Sequence, residues 1–273
     1  MKNVVFLMDI DLSGEGRYSS TRRLPYKYSI KSWEKWCAKN NSELFVLNDL
    51  LLPKDQMAIC WQRYYLFDIL DANDIEFDQI LSVDADTIIH PDCPNFFDLT
   101  ERKLCGVHMN GSYDWVIRSI ENYSKYFFNG HIMDFWKYID CGFVIVNENH
   151  RNFFKQVIDF YNQNAENIRN AESTWHAGTD QTPVNFLIHE HNVDFKLLPY
   201  EYNMCDLFRK EVLQKNALEE NMQKEFTDEA SLVEANGGKL KMVKGFEDNI
   251  KLTFSEDLGL IKSILSTQGR LES

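Results

Sequence analysis

The stretch Gln79-Ile80-Leu81-Ser82-Val83-Asp84-Ala85-Asp86-Thr87-Ile88-Ile89 decides the fold. Its first five residues read as a buried strand that runs directly into two carboxylates separated by one small residue. Residues i and i+2 of a strand face the same side, so Asp84 and Asp86 are expected to converge, with Ala85 leaving room nearby. Two carboxylates at a strand end repel each other unless a cation stands between or beside them. Mg²⁺ or Mn²⁺ suits the position, because hard cations take oxygen ligands at about 2.1 Å and complete their shell with phosphate oxygens and water. The diphosphate of a sugar nucleotide supplies such oxygens. The competing reading makes both residues ordinary turn and capping aspartates. The apolar strand before them and Thr87-Ile88-Ile89 after them favour the metal.

Working outward, the first half of the chain alternates strand-like and helix-like segments. Val4–Met8 reads as a strand. Tyr26–Asn40 reads as a helix with Ile30, Trp33 and Cys37 on one face. Glu43–Leu47 is a short strand, and Asp55–Leu70 a helix with Trp61, Tyr65 and Ile69 four apart. With Gln79–Val83 as the third strand, the order predicts an α/β fold: a mostly parallel central sheet flanked by helices. Such sheets bind ligands outside the carboxyl ends of their strands. Further on, Cys105–His108 and Gly142–Val146 read as strands, and residues 110–137 as an aromatic-rich loop with some helix. Arg151–Asn164 carries a helical stripe of Phe153, Phe154, Val157, Ile158 and Tyr161. Thr179–His189 reads as a helix and Asp194–Leu197 as a short strand. After about residue 206 acidic residues crowd together, and Gly237-Gly238 follows. The expected organisation is a domain over 1–205 and a small, acidic, mainly helical extension over 206–273.

Composition narrows the function. Hydrophobic residues make up 44% of the 273 residues and aromatics 14%, which suits a packed globular chain. No apolar run approaches the ~20 residues of a membrane span, so none is expected. The six cysteines form no CxxC or CxxH pair, which argues against zinc and fits reduced thiols in a cytoplasmic location. A net charge of −13 disfavours nucleic acid. An anionic nucleotide bound by so acidic a chain needs a local cation to offset the repulsion.

Four segments, in order, resemble the GT-A type of nucleotide-diphospho-sugar glycosyltransferases. They are closest to the glycogenin and bacterial galactosyltransferase group and to the yeast-type galactosyl/mannosyltransferase group. Leu81-Ser82-Val83-Asp84-Ala85-Asp86-Thr87 resembles the DxD segment. Asp140-Cys141-Gly142-Phe143-Val144-Ile145-Val146-Asn147 resembles the strand facing acceptor and transferred sugar. Gly178-Thr179-Asp180-Gln181-Thr182-Pro183-Val184-Asn185 resembles the helix start near the reaction centre. Leu197-Leu198-Pro199-Tyr200-Glu201-Tyr202-Asn203 resembles the segment that follows it. Together they cover about residues 1–205.

The resemblance implies a metal-dependent hexosyltransferase that moves a sugar from a nucleotide-diphosphate donor to a hydroxyl acceptor, a glycan in most such enzymes, with retention of configuration. It implies that Asp84 and Asp86 hold Mn²⁺ or Mg²⁺, that Asp9 lies near the base or ribose, and that Arg63 reaches the donor. Asp180 and Gln181 are placed by it beside the anomeric carbon, where Asp180 bonds the sugar or supports oxocarbenium character. The other reading of Asp180 is a helix N-cap. Asp140 is the candidate to receive the acceptor proton or bind a sugar hydroxyl. The late histidine that completes the metal shell in the glycogenin-like group has no counterpart after residue 205. His189 and His191 come too early, and Asn203 is the candidate substitute.

Two other functions compete. Gly14-Glu15-Gly16-Arg17 and Arg23-Leu24-Pro25-Tyr26-Lys27 suggest a sugar-1-phosphate nucleotidylyltransferase, although Asp9, Asp11 and Glu15 would repel a triphosphate. A non-catalytic carbohydrate-binding protein with a GT-A shell would use the Trp, Tyr and Phe residues of 113–138 to stack on sugars.

Overall fold

The computed structural model describes residues 2–10, 26–109, 111, 113–175 and 179–204. The glycine-bearing segment 14–17, residues 23–25, Gly178 and the expected extension over 206–273 lie outside the described residues.

Six strands form one sheet among the described residues: β1 (Lys2–Met8), β2 (Ser42–Leu47), β3 (Phe77–Val83), β4 (Leu104–His108), β5 (Ile139–Asn147) and β6 (Phe195–Leu198). Their order is β2-β1-β3-β5-β4-β6. β1 is parallel to β2 and β3, and β4 is parallel to β6; β5 runs antiparallel between β3 and β4. Five strands therefore share one direction, and the α/β class with a mostly parallel sheet is the observed one. The reversed strand matters for the site. Because β5 begins at the edge where β3 and β4 end, Ile139–Gly142 lies beside the residues that follow Val83.

The strand period of two builds both faces of the sheet. Val4 and Phe6 of β1 enter one hydrophobic cluster, with Ile80 of β3 and Val144 and Val146 of β5. Val5, Leu7, Leu81, Val83, Phe143 and Ile145 enter the other. A sheet buried on both sides needs apolar residues at successive positions, which is why these segments read as unbroken apolar runs.

The helices cover those faces. α1 (Tyr26–Lys39) buries Trp33, Trp36 and Cys37, and Trp36 stacks on Phe96 with ring centroids 5.1 Å apart. α5 (Arg151–Trp175) is much longer than the apolar stripe ending near Asn164 indicated. Its last three turns carry polar residues outward, yet Ile168 and Ala171 remain buried. α4 (Tyr113–Phe127) is a full helix where a loop with some helix is expected; its buried side, Val116, Ile120 and Tyr123, recurs at helical spacing among exposed residues. α6 (Gln181–Glu190) follows the Thr179-Asp180 pair.

One predicted helix is broken. In place of a continuous run over Asp55–Leu70, α2 (Ile59–Gln62) and α3 (Leu66–Ala72) are separated by a 3₁₀ turn at Arg63–Tyr65. The fully buried Gln62 explains the break. Its carboxamide accepts from the amides of Leu51 and Leu52 and donates to the carbonyls of Leu52 and Met57, tying the preceding loop to this point. The tightened turn then aims Arg63 and Tyr64 at the sheet. Tyr64, not Tyr65, is the buried ring.

Among the described residues no helix is long and apolar enough to cross a membrane.

Candidate active site

β3 ends at Val83, and the two acids lie on the turn beyond it. The backbone amide and hydroxyl of Thr87 both donate to the Asp84 carbonyl, at 3.2 and 2.7 Å. The Thr87 hydroxyl in turn accepts from the Trp33 indole at 3.0 Å, so α1 buttresses the turn. Strand alternation stops before Asp84, so it is the turn, and not the strand, that sets the arrangement of the pair. Asp84 faces inward toward β5, while Asp86 is exposed, and both line one cleft of about 220 Å³. Met8, Ile10, Tyr26, Cys60 and Arg63 form much of the remaining wall.

Arg63 organises the inner end of the cleft. One terminal nitrogen stands 2.8 Å from Asp84 Oδ1. The other donates to the Cys141 carbonyl at 2.8 Å, and Nε donates to the Cys60 carbonyl at 3.1 Å. Nε also lies 3.7 Å from Asp180 Oδ2. Burial pushes the Arg63 pKa down, but the charges of Asp84 and Asp180 overcome it and hold the guanidinium protonated.

Asp180 is deeply buried and makes no side-chain cap bond to α6. The capping alternative is therefore not realised. Its carboxylate accepts instead from the Tyr64 hydroxyl and the Thr179 hydroxyl, each at 2.8 Å. Burial, with Asp180 adding to it, pushes the Tyr64 phenol and the Cys60 thiol up, so both stay neutral beside that charge.

Gly142 supplies the space that lets the acids approach. A Cβ built there would stand 2.6 Å from Asp84 Oδ2 and 3.2 Å from Asp140 Oδ1. Asp140 and Asp84 thus crowd the same point above the start of β5. Asp140 accepts from the Gly142 amide at 2.9 Å and from the Asn203 side-chain amide at 2.9 Å. Asn203 thereby joins the site as a partner of Asp140. Asp9, just past the end of β1, is buried, with its amide bonded to the Leu47 carbonyl, and its neighbours Met8 and Ile10 form the cleft wall.

Gln181 is also buried, but its side-chain oxygen accepts from the Cys141 amide at 3.0 Å. Four residues on, one turn along the helix, Asn185 accepts from the Ile139 amide and donates to the carbonyls of Ile139 and Gln181. Gln181 and Asn185 therefore clamp the first residues of β5, where Asp140 and Gly142 sit. His189 lies at the far end of α6 and His191 just past it.

Among the described residues no three His, Cys, Asp or Glu side chains are grouped to hold one ion. The donors present nevertheless fit a hard cation. Asp84, with Oδ1 beside Arg63 and Oδ2 toward Gly142, and the exposed Asp86 supply carboxylate oxygens to the same cleft.

The fold thus brings together Arg63, Asp84, Asp140 and Asp180, sets Asp86 at the cleft, buries Asp9 between two residues of its wall, and uses Gln181 as a brace. Sequence reasoning did not find Tyr64, Thr87 or Gly142 as site residues. Only the i, i+4 spacing of Gln181 and Asn185 on a helix signalled the clamp.

Comparison with known proteins gives short or distant matches. The family of 2-C-methyl-D-erythritol 4-phosphate cytidylyltransferases, IspD, matches residues 200–267. A 2-C-methyl-D-erythritol 4-phosphate cytidylyltransferase of Rubrobacter xylanophilus is 49% identical over 51 residues, 19% of this chain and 22% of that protein's length. Most of residues 200–267 lies outside the described residues. A solved glycosyltransferase involved in the glycosylation of the major capsid of PBCV-1 is 12% identical, with 72% of this chain and 81% of that one aligned at a TM-score of 0.46.

Proposed function

We propose that this protein is a metal-dependent glycosyltransferase that moves a sugar from a nucleotide-diphosphate donor to a hydroxyl acceptor. The observation that carries the reading is the placement of Asp84 and Asp86 on one turn in one cleft, at the carboxyl end of a central strand, with Arg63 linking Asp84 to the buried Asp180. Ligands of open α/β sheets bind at that edge.

In this reading Asp84 and Asp86 hold a Mg²⁺ or Mn²⁺ ion, whose chemistry is to neutralise the departing nucleoside diphosphate as a Lewis acid. Arg63 brings a second fixed positive charge to the donor side of the cleft. Asp180, beside Arg63 and bonded by the Tyr64 and Thr179 hydroxyls, lies on the side where positive character develops at the anomeric carbon. Asp140 faces the acceptor and binds or deprotonates its hydroxyl. Gln181 fixes the strand that carries Asp140. The net charge of −13 means that a bound diphosphate needs a local cation, and the metal, with Arg63 beside it, supplies that charge in this reading.

A panel of UDP-, GDP-, CDP- and ADP-sugars with Mn²⁺ tests this. At least one donor is expected to raise the melting temperature in a metal-dependent way and to be slowly hydrolysed, and Asp86→Ala should lose both effects. No donor-dependent shift, or an Asp86→Ala variant that behaves like its parent, overturns the reading.

The cytidylyltransferase likeness of residues 200–267 favours a second reading, transfer of a nucleotidyl group from a nucleoside triphosphate to a phosphorylated sugar or polyol. Release of pyrophosphate from CTP in the presence of such phosphates would select it over glycosyl transfer.

A further inference from the structure

Between β3 and the 3₁₀ turn at Phe96–Leu99, residues 84–95 form neither helix nor strand. Both acids of the cleft lie on this stretch, so something other than a regular element has to set where they point. α1 does so from one face. Ser32, Trp33, Trp36 and Lys39 stand at i, i+1, i+4 and i+7, which share one side of a helix, and each bonds to the stretch. The Ser32 hydroxyl accepts from the Ile89 amide at 3.1 Å, and the Trp33 indole donates to the Thr87 hydroxyl at 3.0 Å. Further along, the Trp36 indole donates to the Cys93 carbonyl at 3.2 Å, and Lys39 Nζ stands 2.7 Å from Asp92.

Burial along the stretch follows these bonds. Asp86 and Ile88 are exposed, while Thr87 is half-buried and Ile89 buried. The two inward residues are the ones that Trp33 and Ser32 hold, and the outward ones alternate with them. Fixing Thr87 and Ile89 against α1 therefore fixes the direction in which Asp86 leaves the backbone.

Thr87 joins the two sides. An indole N–H can only donate, so the Thr87 oxygen accepts from Trp33, and its single proton goes to the Asp84 carbonyl at 2.7 Å. The Thr87 amide closes on the same carbonyl at 3.2 Å. Any residue except proline would supply that amide bond; the hydroxyl bond and the indole bond need a hydroxyl at 87 and a tryptophan at 33. Asp84 and Asp86 are like charges on one turn, and their repulsion opposes its closing until a cation offsets it. A second bond to the Asp84 carbonyl, anchored on the buried Trp33, resists that opening. Carboxylates already in place lose less freedom when an ion arrives, and groups that orient metal ligands are worth affinity for that reason.

We infer that Thr87 is a positioning residue: the relay from the Trp33 indole through the Thr87 hydroxyl to the Asp84 carbonyl holds Asp84 and Asp86 in the arrangement that takes the divalent ion, without Thr87 being a ligand itself. The relay deepens the glycosyl-transfer reading and rests on the ion which that reading places in the cleft.

The test uses Thr87→Val, Thr87→Ser and Trp33→Phe in the full chain. Valine keeps the shape of threonine without the hydroxyl, serine keeps the hydroxyl, and phenylalanine keeps a ring at 33 without the N–H. Mn²⁺ affinity is read from the loss of the free-ion electron paramagnetic resonance signal, and stability without metal from urea unfolding. Hydrolysis of sugar nucleotides is measured in parallel. The parent is expected to bind Mn²⁺. Thr87→Val should weaken that binding about tenfold, Trp33→Phe should weaken it less, and Thr87→Ser should stay close to the parent. A merely structural threonine would shift the urea midpoint and leave the Mn²⁺ affinity of the folded chain unchanged. The relay is overturned if the parent binds no Mn²⁺, if Thr87→Val binds it as the parent does, or if Thr87→Ser is as impaired as Thr87→Val. Should Thr87→Val not fold, Trp33→Phe decides: weakened affinity supports the relay and unchanged affinity overturns it. Thr87-dependent Mn²⁺ binding by a chain that hydrolyses no sugar nucleotide supports the relay and removes the transferase reading. Metal-dependent hydrolysis that is indifferent to Thr87→Val does the reverse.

Discussion

The Arg63 guanidinium stands 2.8 Å from Asp84 and 3.7 Å from Asp180, so one partly buried cation joins the turn that carries Asp84 to the start of α6. The two ends differ in exposure: the Asp84 side chain is 43% exposed, that of Asp180 only 6%. Asp84 can turn to water or to an ion. Asp180 cannot.

Replacing Arg63 by Met is therefore expected to destabilise the fold by about 3 kcal/mol, because it leaves the Asp180 charge buried and unpaired. Adding Asp180→Asn should recover a large part of that loss, whereas adding Asp84→Asn should recover little. Urea unfolding of the parent, the three single variants and the two double variants, read as two double-mutant cycles, measures both.

Gly142→Ala places a methyl 2.6 Å from Asp84 Oδ2 and so displaces that carboxylate. The expected stability loss is modest, about 1–2 kcal/mol, since Asp84 is partly exposed and can move. The Mn²⁺-dependent rise in melting temperature should fall far more. Thermal melts with and without Mn²⁺ separate the two effects.

Glu172, in the last turns of α5, titrates at about 7, because burial disfavours its charge and Asp180 adds repulsion that Arg169 offsets only in part. Its folded-state pKa lies above the ordinary 4.5. Below that value the group is protonated in both states and costs nothing. As pH rises from there to about 7, the unfolded chain releases its proton first and the fold loses stability. Above that range the penalty is constant. Glu172→Gln should match the parent at pH 4 and exceed it by on the order of 1–2 kcal/mol at pH 8.5, allowing for solvent screening at a partly exposed site. Paired denaturant melts at the two pH values check this.

Asn185→Ala removes three buried hydrogen bonds, two to Ile139 and one to the Gln181 carbonyl. The expected cost is about 2–4 kcal/mol, with unpaired backbone groups left inside. Amide exchange should accelerate at Ile139 and Cys141 before it does in β1 or β3, because the clamp acts on the first residues of β5.

Much of the architecture was legible because strand and helix periods are local properties. Val4–Met8, Gln79–Val83 and Gly142–Val146 announced themselves as apolar runs, and the sheet merely extended them by a residue or a few at either end. The helix at Asp55–Leu70 misled because the Trp61, Tyr65, Ile69 spacing is helical, while the fully buried Gln62 side chain ties down a loop that the spacing does not reveal. Asp84 and Asp86 were legible as a pair but not in their arrangement, since the strand stops one residue before them.

By itself the sequence determined which residues could carry charge at the end of a central strand, and that an acidic chain needs a cation to hold an anion there. Only the tertiary structure decided how those charges meet. The reversed direction of β5 carries Asp140 and Gly142 to Asp84, and the 3₁₀ turn swings Arg63 between Asp84 and Asp180. Such meetings depend on strand order and on buried hydrogen bonds between segments distant in sequence, and local periodicity holds no record of either.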